Sequence, residues 1–460
     1  MARKPNLLFI FTDEQRFDTM KCYGNDFVET PNLNAFSESA FVFEHPYVVQ
    51  PVCTPARSTI MSGLYPHNNG CVTNNIPLSE DVPTLAEMVS DKYRRAYYGK
   101  WHLGNEVIAQ HGFDEWVSIE DNYRQYYSKP EYLDTLSDYH HFLIRNGFEP
   151  DKESLGAEVF GRGKAADLPP EYTKAAFLGQ ESARFIREQD DDPFVLYVNF
   201  LEPHAPFTGP LNDMYDPDSV PVGPHFLEPP PENASQYNLK RYEQYLTGKN
   251  AGQDLSTDEG WRKLRAQYLG LVTQVDRAVG EILTALQESG KADETVVVYT
   301  SDHGDMMGDH RLLTKGVLYE ESVKVPFLIR VPGFDGGKIP GRFSQIDLVP
   351  TLLDLLGESI PDHLQGKSCV DVLRGEASLE NNDAFIEWNN EDNPWRTVVS
   401  AEGWKLNLSP HDQCELYDLN TDPHEQKNVF DDADQQSCVQ DLTERIRAWQ
   451  TRTDDLVQLG

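Results

Sequence analysis

Nowhere does the 460-residue sequence hold a hydrophobic run long enough to cross a bilayer, which excludes an integral membrane protein. Basic residues are scarce: 40 Lys and Arg face 75 Asp and Glu, a formal net charge of −35. A field of that sign repels phosphate backbones and anionic lipid, so neither nucleic acid nor a membrane is expected as a partner. Cysteine is limited to six residues (22, 53, 71, 369, 414 and 438) without paired spacing, so neither a disulfide framework nor a zinc knuckle is suggested. Hydrophobic residues at 39% and charged residues at 25% describe a globular chain and exclude collagen-like or wholly disordered classes.

The short apolar run Leu7–Phe11 follows Arg3 and Lys4 but ends in Thr12-Asp13-Glu14, with no small-residue cleavage site. It reads as the first strand of the fold and not as a signal peptide, and a cytoplasmic location is the expectation. Three more apolar runs, Phe194–Phe200, Thr295–Thr300 and Pro326–Val331, read with it as buried parallel strands. Between them, Leu264, Tyr268, Leu271, Val275, Val279, Ile282 and Leu286 form one apolar helical face ending near Gly290. A further helix, Ile346–Leu356, closes on Gly357. Strands alternating with helices predict an α/β fold with a mostly parallel sheet covered on both faces.

From about residue 380 the pattern shortens. Ala384–Trp388, Arg396–Ala401, Trp404–Leu408 and Glu415–Leu419 read as antiparallel strands, followed by a helix over about Ala433–Arg452. The expected organisation is a catalytic domain over 1–378 and a smaller C-terminal α+β subdomain over 379–460. Two stretches, about 120–170 and 208–260, resist assignment and read as lids, binding loops or surface decoration.

Ligands of open parallel sheets bind beyond the carboxyl ends of the strands. Three strands end there in reactive groups: Asp13-Glu14, Glu202-Pro203-His204 and Ser301-Asp302-His303. Asp13, Glu14, Asp302 and His303 offer hard oxygens and one imidazole. Such a set suits Ca²⁺, Mg²⁺ or Mn²⁺ better than structural zinc and points to metal-dependent transfer or hydrolysis at an oxyanion.

The segment Pro51-Val52-Cys53-Thr54-Pro55-Ala56-Arg57-Ser58-Thr59 carries a Cys-x-Pro-x-Arg pattern. Around it stand, in order, Leu8–Arg16, Gly63-Leu64-Tyr65-Pro66-His67, Gly99-Lys100-Trp101-His102-Leu103-Gly104 and Ser301-Asp302-His303-Gly304. Gly308-Asp309-His310, Thr314-Lys315-Gly316 and Cys414-Glu415-Leu416-Tyr417-Asp418-Leu419 complete the series. This ordered set resembles the type I, formylglycine-dependent sulfatases of the alkaline-phosphatase-like superfamily. The resemblance spans most of the chain apart from the two inserts. It implies an alkaline-phosphatase-like sheet and a maturase that converts Cys53 to formylglycine. It also implies a divalent metal, calcium above all, held by Asp13, Glu14, Asp302, His303 and residue 53.

The chemistry explains why an aldehyde suits the task. A serine or a thiol would be left as a stable sulfated product, whereas a hydrated aldehyde can eliminate sulfate through its second hydroxyl. By resemblance, His102 is the base for that elimination, and Arg57 and Lys100 hold the diol. His204 and Lys315 contact the sulfate and assist the departing oxygen. The pair Asp13-Glu14 departs from the two Asp found in many family members. The Asp302-His303 pair occurs in both sulfatases and the related phosphonate monoester hydrolases, so a phosphonate monoester hydrolase or phosphodiesterase using the same nucleophile stays open. A glycan-binding protein with an unconverted Cys53 is the third reading. A sulfated small molecule or oligosaccharide is the expected ligand; Asn74, Trp388, Asn389, Asn390 and Trp395 are candidates for contacting it. For Trp388 and Trp395 a core role is the alternative, and for Asn74 a turn role.

Overall fold

The computed structural model describes residues 4–246, 249–250, 252–389 and 393–459. Its larger sheet has eight strands: β1 (Asn6–Asp13), β2 (Phe41–Tyr47), β3 (Arg94–Gly99), β4 (Glu115–Ser118), β5 (Phe194–Pro203), β6 (Thr295–Ser301), β7 (Phe327–Arg330) and β8 (Gly337–Ser344). Their order is β8-β2-β7-β6-β1-β5-β3-β4. All run one way except β7, which pairs antiparallel with both β6 and β2.

That exception corrects the expectation that Pro326–Val331 is a parallel strand. The chain leaves β6 at Ser301 and re-enters the sheet beside it, with Thr300 opposite Phe327, so it must run back. No helix crosses a face of the sheet in between; the connection holds only the short helix Glu320–Val323. Apolar runs report burial and carry no information about direction.

Alternation along the central strands divides the core in two. Leu8, Ile10, Val198 and Val297 face one side with Phe177 and Leu178 of α2 (Lys174–Arg187) and Val275, Val279 and Ile282 of α4 (Asp258–Glu288). Leu7, Phe9, Phe11, Val195 and Val298 face the other side with Ile60 and Met61 of α1 (Cys53–Ser62) and Leu348, Val349 and Leu352 of α5 (Leu348–Leu355). Strands with both faces covered need apolar residues at every position, which is why they were legible as unbroken runs. In α4 the side chain of Thr257 caps the first turn by accepting from the Gly260 N–H. Between α2 and α4 the second insert contributes α3 (Gln236–Gln244).

The antiparallel sheet of β9 (Ala384–Trp388), β10 (Trp395–Val399), β11 (Trp404–Leu408) and β12 (Glu415–Asp418) pairs in chain order. Val398, Leu406 and Leu416 bury one face against Leu442 and Ile446 of α6 (Gln436–Thr453). Among the described residues no helix is long and apolar enough to cross a membrane.

Candidate active site

The carboxyl ends of β1, β5 and β6 and the N-terminus of α1 meet at one place. Cys53 opens α1, is 1% exposed, and points its Sγ to within 3.2 Å of His303 Nε2 and 3.6 Å of Asp13 Oδ1. Helix N-termini favour negative charge, so α1 presents position 53 where an anion is stabilised. Burial and the Asp13 carboxylate push the Cys53 thiol up, but Lys315, Lys100 and His303 outweigh them and the net shift is downward. His303 Nδ1–H donates to the Gly304 carbonyl (2.9 Å), which leaves Nε2 for the cleft. Burial opposes charge on this ring, yet Asp302 and Cys53 together raise its pKa to about 9.

Arg57, one turn along α1, braces the carboxylates. Its Nε donates to Asp302 Oδ2 (3.0 Å), Nη2 to Asp13 Oδ2 (2.9 Å), and Nη1 to Asn199 Oδ1 (2.6 Å) and the Lys100 carbonyl (2.8 Å). The Lys100 ammonium also pairs with Asp13. Despite its burial, Asp13 is held well below the usual carboxylate range by Lys100 above all and by Arg57. Gly99, before Lys100, has φ +124°, and a Cβ there would lie 1.9 Å from the Asn199 carbonyl oxygen. Only glycine lets β3 approach β5 so closely.

The donor set fits a divalent metal. Ligand atoms of Asp13, Cys53, Asp302 and His303 lie within 4.8 Å of one another, and all four residues are buried. Glu14 falls instead in an overlapping group with Asp13 and His204. It is fully buried, neither of its oxygens accepts a well-directed hydrogen bond, and burial raises its pKa well above normal. A buried carboxylate whose Oε1 has no partner, and whose Oε2 meets only the Lys315 ammonium and the His204 ring, fits a divalent cation beside these hard oxygen donors.

The remaining bases and cations line the rim. Lys315 Nζ is 3.0 Å and His204 Nε2 3.5 Å from Glu14 Oε2. His204 Nδ1–H donates to the Ala205 carbonyl (2.7 Å). His102 adopts φ +59°, stacks on Tyr123 at 4.1 Å and binds Asn75 Oδ1 through Nε2 (2.9 Å). Its Nδ1 has no partner, and burial followed by Lys100 and Arg57 pushes its pKa well below normal.

The family model for sulfatases matches residues 5–358, and that for the C-terminal part of N-sulphoglucosamine sulphohydrolase matches 308–452. The chain belongs to the sulfatase family. It is 30% identical to an arylsulfatase of Clostridium perfringens over 80% of this chain and 78% of that one. It is 24% identical to an N-acetylglucosamine-6-O-sulfatase of Bacteroides thetaiotaomicron over 99% of this chain and 88% of that one. A solved structure in complex with its substrate D-glucosamine-2-N,6-O-disulfate superposes with TM-score 0.79 at 22% identity, covering 99% of each chain. The mostly parallel sheet with its separate antiparallel sheet is the alkaline-phosphatase-like fold.

In this sulfatase, Asp13, Glu14, Cys53, Arg57, Lys100, His102, His204, Asp302, His303 and Lys315 gather in one cleft. The outer candidates divide. Asn74 Oδ1 accepts from the Thr54 N–H (3.0 Å) and so caps α1. Trp388 lies beside Gly316, where a Cβ would be 3.2 Å from its ring, and thus borders the Lys315 loop. Asn389 donates to Gln50 (2.9 Å) and Glu387 (3.1 Å) and accepts from Arg396 (2.9 Å), which occupies its amide internally. Trp395 packs as a core residue, the alternative weighed for it: it is 2% exposed in the cluster of Tyr47, Val48 and Leu318. Asn390 lies outside the described residues.

Sequence reasoning missed Asn199, Tyr123 and Asp305. Asn199 had a signal, a polar residue inside an otherwise apolar buried strand. Asp305 accepts from the N–H groups of Met307 and Thr314 (both 2.9 Å) and so shapes the loop that delivers Lys315.

The motif around His102 also yields a pH prediction. Glu106, fully buried, accepts from the N–H groups of Trp101 (2.9 Å) and His102 (2.6 Å), and burial raises its pKa to about 7. A carboxyl whose folded pKa is raised contributes stability below its unfolded value, and loses it as pH climbs through the folded one. Between pH 4.5 and 7 the wild type is therefore expected to lose about 3 kcal/mol relative to Glu106→Gln. Urea unfolding of both proteins across that window checks this, and parallel curves would contradict it.

Proposed function

We propose that this sulfatase hydrolyses a sulfate ester carried on a carbohydrate, with formylglycine made from Cys53 as the nucleophile. The observation that carries the reading is Cys53 itself, the buried first residue of α1 within Cys-x-Pro-x-Arg, facing Asp13 and His303. The sugar assignment draws on the relatives named for glucosamine sulfates. Conversion requires a formylglycine-generating maturase as a partner. The hydrated aldehyde supplies one hydroxyl for attack on sulfur and a second through which sulfate can be eliminated. A divalent cation, calcium by preference for hard oxygens, would be held by Asp13, Asp302, His303 and residue 53, with Glu14 in the overlapping donor group beside them, and would supply Lewis acidity there.

The protein's own groups account for the rest. His102 is held neutral, with Nε2–H committed to Asn75, so Nδ1 is the atom free to take a proton. Lys100, pinned on Asp13, fixes the position of that carboxylate at the nucleophile. Lys315 lies across Glu14 and binds sulfate oxygens. Burial and then Lys315 hold His204 neutral in the resting site; an arriving anion favours a proton on Nε2, from which the leaving alcohol is protonated.

Matched sulfate and phosphonate monoesters of one alcohol test the choice of ester. The expected result is at least about tenfold higher kcat/KM for the sulfate. A preference of that size for the phosphonate would overturn it in favour of phosphonate hydrolysis.

A further inference from the structure

The first insert brings a ring against the catalytic base. Tyr123 stacks on His102 with ring centroids 4.1 Å apart and planes 24° from parallel. It lies outside every segment that carries the sulfatase resemblance.

His102 needs such a contact. Its backbone is held at φ +59°, with its N–H donating to Glu106 (2.6 Å) and its carbonyl accepting from the Thr54 hydroxyl (2.9 Å). In the ring, Nε2 is tied to Asn75 Oδ1 (2.9 Å), whereas Nδ1 has no partner among the described residues. One hydrogen bond fixes a point and leaves the plane of the ring free to tilt about it. A tilt would carry Nδ1, the atom that takes the proton, out of line. A flat neighbour pressed on the ring face removes that freedom.

Tyr123 is itself braced. Arg162 Nη2–H donates to its hydroxyl (2.9 Å), and the guanidinium carbon lies 5.3 Å from its ring centroid. Arg162 in turn holds one oxygen of the fully buried Glu120 through Nε (3.0 Å) and Nη2 (2.8 Å), and Lys174, the first residue of α2, pairs with the other. Between Glu120 and Tyr123, Asp121 pins the chain by accepting from the N–H (3.0 Å) and the hydroxyl (2.6 Å) of Ser137. Buried charges are costly to assemble, and the steps assigned to His102, Lys100, Lys315 and His204 use none of Glu120, Arg162 or Lys174. What these three have in common is a Tyr123 ring held in one place.

We propose that Tyr123 is a positioning residue for the base: its ring, anchored through Arg162 to Glu120 and Lys174, fixes the plane of His102 so that Nδ1 meets the proton it removes. The inference rests on the formylglycine-sulfatase reading. The step it serves is the elimination of sulfate. His102 Nδ1 takes the proton of the second hydroxyl on residue 53, the O–H electron pair becomes the new C=O bond, and the C–O bond to sulfate breaks with its electrons leaving on sulfate. Attack on sulfur and departure of the alcohol come earlier and do not involve His102.

That order makes the test specific, because kcat/KM reports the attack and kcat reports the elimination once it is slow. In maturase-processed Tyr123→Leu, kcat is expected to fall by about tenfold to a hundredfold and KM to fall with it, leaving kcat/KM within about twofold of wild type. Alcohol should then appear in a burst that matches the number of processed sites, and intact protein sampled during turnover should carry the mass of a retained sulfate. Tyr123→Phe, which keeps the ring and loses the hydroxyl, is expected to stay within about threefold of wild type in kcat. A Tyr123→Leu enzyme with unchanged kcat would overturn the positioning role. So would one in which kcat/KM falls as far as kcat without a burst, or a Tyr123→Phe enzyme as slow as Tyr123→Leu. Those results leave the function reading standing, whereas a processed wild type that turns over no sulfate ester overturns both.

Discussion

Cys53→Ala, produced beside a maturase, is expected to lose sulfate release by on the order of 10⁴-fold or more, the scale seen when a nucleophile is removed from a preorganised site. Only the group carried on Cβ of residue 53 is lost, and α1 keeps its buried apolar residues and its Asn74 cap, so the thermal midpoint should move by no more than about 3 °C. The two readouts together separate loss of the nucleophile from loss of the fold. Turnover within about tenfold of wild type would show that the cleft acts without a covalent intermediate.

Arg57→Met is the second large effect, and it falls on stability. Among the described residues, Arg57 is the one side chain that touches Asp13, Asp302 and Asn199 together, all at 0% exposure. Removing it strips the buried Asp302 of its guanidinium and leaves Asp13 to Lys100 alone, a loss of about 3–5 kcal/mol. Arg57→Lys should recover little, because an ammonium cannot reach two carboxylates, an amide and a carbonyl at once. Added Ca²⁺ is expected to restore part of the loss in Arg57→Met, since the same carboxylates are its ligands. Denaturant unfolding with and without Ca²⁺ measures both terms. A loss below about 1 kcal/mol would mean that Arg57 does not brace the site.

What the sequence disclosed follows from physical coding. β1, β5 and β6 are covered on both faces and announce themselves as apolar runs; β2 and β8 carry Pro46 and Pro340 with polar neighbours and did not. Strand direction has no such code, hence the error at β7. Asp13, Asp302 and His303 could be placed together because each ends a strand at the same edge. Arg57 was found through its motif, yet its role as a clamp on carboxylates depends on contacts with Asn199 and Asp302 that only the folded chain creates. Tyr123 was invisible for a related reason: nothing in a polar insert reveals that one of its rings stacks on His102. Trp395 shows the converse, since composition alone does not tell a sugar platform from a core residue.

The mass of the peptide containing Cys53, isolated from protein made in the presence of a maturase, tests the central claim most directly. The account predicts the mass of the aldehyde or its hydrate at position 53, in protein that releases sulfate from a sulfated sugar. An unmodified thiol in protein that still hydrolyses sulfate esters would contradict it.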